Sequence, residues 1–513
     1  MDELERLIKS CMLAGVSGPA LPEWLAEGLR AGLAGITIFP GPHLADRGAV
    51  AAVAAQARAV DPEALVSLDE EGGDVTRLEY AVGSSYPGNL ALGEADDLDL
   101  TRRTAAAMAQ DLVAAGVNYN LAPSLDVNSD PRNPIIGVRS FGAEAHKVTR
   151  HGVAFLEAMQ AGGVAVAAKH YPGHGDTVTD PHLTMPKVEA DATTLHRREL
   201  APFAAAAEAG VASLMVAHAL YSALDENYPA TCSPHILQTL LRAELGYPGV
   251  VLSTAVAIEA GHGTERACEA AVATLAAGSD LLLLGPAVTG HIYAAICDAI
   301  ATALRSGQVS QAALEASQAR IARMRQQFRI PADTTGKPGQ PGSTGTRQRA
   351  AIGLTAARRA VRARGTVALR GPATVVELRP AGNAATGEAY WSLAGSLSSH
   401  GLVARTIQIT SEADISALPD FPDLPQGPLV LAVRDAYRTP WQREFALKTC
   451  AARPDAILVA VGMPDDAGLS QGPFIAAYGA GFVNLQAASD LLAGAVSTVS
   501  HGAADEDARN PDA

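Results

Sequence analysis

The chain of 513 residues is short of several things, and each shortage closes off a class of protein. It has five cysteines (Cys11, Cys232, Cys268, Cys297, Cys450), widely spaced and odd in number. With no Cys-x-x-Cys pair among them, neither a zinc ribbon nor a dithiol redox pair is indicated, and reduced thiols in a cytoplasmic setting are expected. Basic residues are outnumbered, 39 Lys plus Arg against 54 Asp plus Glu, for a formal net charge of -15. That balance argues against a general nucleic-acid partner, which needs a basic surface to displace counterions from phosphates. No uninterrupted apolar stretch approaches the roughly 20 residues of a membrane span, and the start, MDELERLIKS, lacks the basic beginning and apolar core of a secretory signal. A soluble chain without membrane or nucleic-acid partners is expected; oligomeric state is left open. Lysine itself is scarce. Six occur (Lys9, Lys147, Lys169, Lys187, Lys337, Lys448), so one inside a dense polar motif stands out.

What the chain does have is 48% hydrophobic against 18% charged residues, the balance of a folded protein. Composition shifts at Thr334–Thr346, TTGKPGQPGSTGT, which reads as a linker. The expected organisation is residues 1–333, linker 334–346, a second domain over 347–500 and an acidic tail over 501–513.

Before the linker, short apolar runs alternate with Ala-rich helical stretches. Seven runs read as strands: 35–39, 65–68, 117–121, 164–168, 213–217, 249–253 and 280–284. Continuous apolar runs suit strands buried on both faces, and repeated strand–helix units over some 300 residues predict an α/β fold, a (β/α)₈ barrel of the TIM type. An open doubly wound sheet is the alternative, weakened because no Gly-x-Gly-x-x-Gly turn follows the first strand. After the linker, TVVELRP, LVARTIQIT, PLVLAVR and AILVAVGMP predict a smaller α/β sandwich without a nucleotide fingerprint or catalytic cluster.

Polar residues stand at the ends of the predicted strands: Asp69-Glu70-Glu71-Gly72-Gly73 after 65–68, Lys169-His170 after 164–168, His218 after 213–217 and Thr254 after 249–253. In a parallel barrel all of these open on one face, where active sites are built. The densest motif follows Lys169: KHYPGHGDTVTDPH. Lys169 and His170 at a strand end can hold hydroxyl groups. In an extended Asp-Pro-His piece, Asp180 and His182 can share one side, the carboxylate orienting an imidazole for proton transfer near neutral pH. Two other readings compete. His170, His174, Asp176, Asp180 and His182 are all possible metal ligands, although no recognised zinc spacing is present. The loop can also be structural, its polar groups bonding its own backbone.

The run KHYPGHGDTVTDPH resembles the signature of glycoside hydrolase family 3, especially its β-N-acetylglucosaminidase (β-N-acetylhexosaminidase) branch. SLDEEGGDVTRL, GVNYNLAPSLDVN, NPIIGVRSFG and YPATCSPHILQTLLRAELGYPGVVLS are similar to further blocks of that family, in order along the chain. The resemblance implies a glycosidase that removes terminal β-linked N-acetylhexosamine by double displacement, with a small amino-sugar substrate and no metal or organic cofactor. It implies that Asp69 and Arg77 hold sugar hydroxyls, that Arg139, Lys169 and His170 contact the sugar and the nucleophile region, and that His182, oriented by Asp180, is the general acid/base. Ion pairs tying adjacent loops are the other reading of Arg77 and Arg139, and bracing is expected of Glu71 and Asp126. In one place the pattern breaks. The family's nucleophilic Asp falls on Thr254 here, with Ala255 beside it and Glu259 the next carboxylate. A retaining glycosidase needs a carboxylate about 5–5.5 Å from its acid/base partner. A threonine hydroxyl without an adjacent base is a poor substitute, so turnover is expected to be impaired or absent. The alternative is a non-catalytic, sugar-binding pseudoenzyme of the same fold.

Overall fold

The computed structural model describes residues 3–41, 43–44, 46–177, 185–331, 344–380, 390–416 and 427–496. Eight parallel strands close into a barrel: β1 (Met12–Val16), β2 (Gly35–Ile38), β3 (Leu65–Leu68), β4 (Tyr119–Asn120), β5 (Ala165–Tyr171), β6 (Ser213–Val216), β7 (Val250–Ser253) and β8 (Leu281–Leu284). Each pairs with its neighbours in sequence, and β8 closes on β1 through Met12↔Leu282 to Ala14↔Leu284. The strands are buried throughout, with partial exposure at Gly15 and His170. That is why they read as unbroken apolar runs rather than as alternating ones. At Gly35 a Cβ would lie 2.0 Å from the Leu65 carbonyl oxygen, so glycine alone permits the spacing of β2 and β3 there.

Three expectations are corrected. β1, the run MLAGV, was not among the seven predicted strands; it carries one β-branched residue and follows closely on the helix Glu3–Lys9. The strand expected at 117–121 is paired only over Tyr119–Asn120. Lys169 and His170 do not follow their strand but form its last turnings, within Ala165–Tyr171, where the pairing with β6 shifts register between Lys169 and Tyr171.

Most of the stretch expected as linker lies outside the described residues, and a helix, Thr344–Ala360, begins within its last three positions. Beyond it is a six-stranded sheet: β9 (Arg362–Arg364), β10 (Ala373–Leu378), β11 (Val403–Ile409), β12 (Leu429–Val433), β13 (Ile457–Ala460) and β14 (Phe474–Ala476). The order is β9-β14-β13-β12-β10-β11, parallel except for β9 against β14. Four strands are the predicted runs; β9 and β14 are three residues each and too short to show a period. Alternate residues face opposite ways. Val375, Val430 and Val459 pack under the helices Thr344–Ala360, Leu393–Ser398 and Phe482–Leu492. Val376, Leu431 and Leu458 face the helix Pro440–Ala452 and, across to the barrel, Leu90, Ala91 and Val138.

Polar contacts also join the two parts. Asp74, in the loop after β3, accepts the backbone N–H of Ala480 at 2.7 Å and pairs with Arg434 at 2.5 Å. The Tyr437 hydroxyl donates to the Pro131 carbonyl. No helix among the described residues is long and apolar enough to cross a membrane.

Candidate active site at the carboxyl end of the barrel

The loop after β3 is folded by an acid the sequence did not single out. Both Arg77 and Leu78 donate their backbone N–H to Glu70 Oε2, at 2.9 and 3.0 Å, and the Thr76 hydroxyl adds a third bond at 3.1 Å. Burial pushes the Glu70 carboxyl up to about 7, against the pull of these donors. Folding the loop back on itself brings Arg77 Nη2 to 3.9 Å from Asp69 Oδ2.

From there charges alternate across two loops and the end of β5. Lys169 Nζ lies 2.7 Å from both Asp69 Oδ1 and Glu71 Oε1. Glu71 in turn accepts two bonds from Arg139, 2.8 Å from Nη2 and 2.9 Å from Nε, the two-pronged fit that guanidinium and carboxylate geometry favours. Lys169 is 1% exposed. Burying a lysine ammonium is costly unless it is paired, and here two carboxylates are in contact with it. Burial works against ionisation of Glu71, but Arg139 and Lys169 outweigh it and hold its carboxyl far below the usual range. Asp69 is lowered in the same way, burial being overcome by Lys169 and Arg77. The bracing expected of Glu71 is what the geometry gives, and Arg139 both ties two loops and faces the cavity.

Asp126 does the corresponding work on the other side of Lys169. It is buried and accepts the backbone N–H groups of His170 (3.2 Å) and His174 (2.7 Å), the Ser124 hydroxyl (2.9 Å) and His170 Nδ1 (2.7 Å). Its carboxyl is held far below the usual range: burial opposes this, and the two histidines outweigh it. With Nδ1 donating to Asp126, His170 keeps Nε2 as its free ring position. Burial lowers the His170 imidazole despite that partner. His174 bonds Thr177 through Nδ1 at 2.8 Å, and burial pushes its imidazole down to about 4, so the ring is neutral at physiological pH.

These side chains converge on a cavity of about 430 Å³. Asp69, Arg77, Arg139, Lys169, His170 and Thr254, six of the eight residues expected from sequence at a catalytic or sugar-contacting position, line it together. The other two, Asp180 and His182, lie outside the described residues. His174 and His218 line it as well. His218 carried a sequence signal, its place at a strand end, and the structure places it beside Thr254.

Thr254 caps β7, and its hydroxyl donates to the Val216 carbonyl at 3.2 Å. Met215, Ala217, His218, Ala257, Ile258 and Leu283 line the cavity with it, from β6, β8 and the segments that follow β6 and β7. His218 bonds the Thr231 hydroxyl through Nδ1 at 2.7 Å, with Nε2 3.6 Å from Glu259. Glu259 ends the helix Ala255–Glu259, is shared with Arg266 at 3.1 Å and stands behind His218. Among the described lining residues the one carboxylate is Asp69. No three His, Cys, Asp or Glu side chains among the described residues are grouped to hold a metal ion.

A closed parallel barrel with ion-paired side chains gathered at its strand ends defines an enzyme-type scaffold with a polar small-molecule site. The model of the glycosyl hydrolase family 3 N terminal domain matches residues 20–324, and the chain belongs to that family. Over 281 residues it is 35% identical to the Beta-hexosaminidase A of Pseudoalteromonas piscicida; the match covers 51% of this chain and 47% of that protein, so the chain spans about half of that relative's length. It is 34% identical over 287 residues to the Beta-hexosaminidase of Methylococcus capsulatus, 54% of this chain and 84% of the relative. Among solved structures, a glycoside hydrolase family 3 beta-N-acetylglucosaminidase from Paenibacillus sp. superposes with a TM-score of 0.86 at 30% identity, over 97% of this chain and 98% of that one.

Proposed function

We propose that this chain binds a terminal β-linked N-acetylhexosamine, of the N-acetylglucosamine type, in the barrel-end cavity, and that Thr254 makes cleavage of the glycosidic bond far slower than an Asp at that position would allow. The observation that carries this reading is the shared cavity: Asp69, Arg77, Arg139, Lys169 and His170 line it with Thr254. The acceptor oxygens of Asp69 and the cationic donors beside it suit the alternating hydroxyls of a pyranose. Ion pairing fixes these groups before a ligand arrives, so little ordering is left to do on binding.

In double displacement, a carboxylate attacks the anomeric carbon while a general acid protonates the departing oxygen. Water then reverses the first step, and the same acid acts as base. In this chain His182, with Asp180 to orient it, is assigned the proton transfers. The attacking group is what is weak. The Thr254 hydroxyl is bonded to a carbonyl, and its alkoxide is not generated by any base in contact with it among the described residues. Nor does it supply the negative charge that stabilises an oxocarbenium-like transition state. A non-catalytic sugar binder is the second reading, favoured by the same apolar wall.

An aryl β-N-acetylglucosaminide separates the two. Thr254→Asp is expected to raise turnover by at least ~10²-fold, the scale of one well-placed group acting on developing charge. Residual turnover by the unaltered chain that disappears in His182→Ala identifies an enzyme. No turnover, with N-acetylglucosamine raising the melting temperature, identifies a binder. If neither protein binds an amino sugar, the reading is wrong.

A further inference from the structure

The turn that brings His174 to the cavity is held from outside by a carboxyl group that the chemistry above does not use. A widened helical turn, Leu195–Glu199, leads into the helix Leu200–Glu208. Glu199 is fully buried; its Oε1 accepts from Arg198 Nε at 2.6 Å, while Oε2 has no hydrogen-bond partner. What Oε2 touches is the turn itself. Gly173 has φ +129°, and a Cβ there would lie 2.7 Å from both Cβ and Oε2 of Glu199, so the carboxyl packs directly on the glycine backbone. Arg198 reaches past it to Asp176 Oδ2 at 2.7 Å, so one guanidinium joins helix and turn. The Tyr221 hydroxyl donates to the Gly173 carbonyl at 2.7 Å, holding the same turn.

The charged and titratable groups facing Glu199 are Arg198 on its own element, Asp176 and Asp126 from the two loops, and Tyr221. We propose that Glu199 is a positioning residue: in its neutral form it lets the Gly173–Thr177 turn close against the helix and fixes His174 in the cavity wall, and its ionisation loosens that packing. Burial, with Asp126 and Asp176 adding to it, outweighs Arg198 and pushes the carboxyl up to about 7. An unpartnered buried oxygen is tolerated by a neutral acid and is costly for an anion. The carboxyl ionises more easily once the turn opens to water. Opening therefore becomes easier as pH rises from the ordinary carboxyl range to about 7, and changes no further above that.

Amide hydrogen exchange over residues 171–177, corrected for the intrinsic effect of pH, tests this on the full chain. Protection should fall by up to ~tenfold per pH unit between about pH 5 and 7 and then level off. Glu199→Gln should keep the low-pH protection at every pH, and the same step in that variant would overturn the proposal. Asp176→Asn removes an acidic neighbour and frees Arg198 for Glu199, so the step should move to lower pH; an unmoved step would overturn it equally, even if Glu199→Gln failed to fold. A consequence for sugar binding rests on the function proposed above: affinity for N-acetylglucosamine should weaken several-fold over the same range in the unaltered chain and not in Glu199→Gln. An exchange step without any sugar binding supports the role of Glu199 and counts against the proposed function. Sugar binding with the same pH dependence in both proteins counts against Glu199.

Discussion

The two walls of the cavity are built on different principles. On one, Arg139, Glu71, Lys169, Asp69 and Arg77 form a continuous chain of opposite charges drawn from two loops and the end of β5. On the other, Thr254 makes one hydrogen bond, to a main-chain carbonyl, amid Met215, Ala217, Ala257, Ile258 and Leu283. The first wall stabilises the barrel end whether or not a ligand is present, because each buried charge has its partner within the protein. The second contributes little beyond its shape. Substitution at Thr254 should therefore leave the fold in place, whereas the first wall cannot be altered without cost to the stability of the barrel end.

The sharpest way to break that contrast is Lys169→Met. It removes the cation shared by two buried carboxylates, and about 3–5 kcal/mol of stability should go with it, read from denaturant unfolding, together with measurable sugar affinity. Next in size is Thr254→Asp, whose gain in turnover should leave sugar affinity in place. Acid should then separate the walls. Asp69, Glu71 and Asp126 have carboxyls held below their unfolded values, so their stabilisation is complete above about pH 4–4.5 and is lost as pH falls below that. Glu71→Gln should flatten part of this acid loss in pH-dependent unfolding, and an unchanged acid limb would refute the first wall's role. The smallest effect is expected of Thr254→Val. It forfeits one hydrogen bond, about 0.5–1.5 kcal/mol by thermal unfolding, and leaves sugar affinity as it was.

Much of this was legible beforehand because barrels announce themselves through period and punctuation. Seven strands showed as apolar runs, and polar residues at their ends marked the open face before any site was known. β1 escaped because MLAGV has little β-branching, and β9 and β14 because three residues carry no period. Lys169 stood out by scarcity and Thr254 by a break in the family's pattern. Glu70 and Glu199 did not, since nothing in a sequence distinguishes an acid that turns inward to hold a loop from the many that face water. Their roles depend on contacts between residues brought together only by the fold, such as Gly173 against Glu199.

Asp74 sits five residues beyond Asp69, and its carboxylate is held by an ion pair to Arg434 and by the backbone N–H of Ala480, both beyond the barrel in the second domain. The loop that presents Asp69 and Arg77 to the cavity is thus tethered at its far side to the second domain, whose hydrophobic core includes Ala480. Damage to that core, well away from the cavity, should on the proposed function register at the bench as weakened sugar affinity before it registers as unfolding of the barrel.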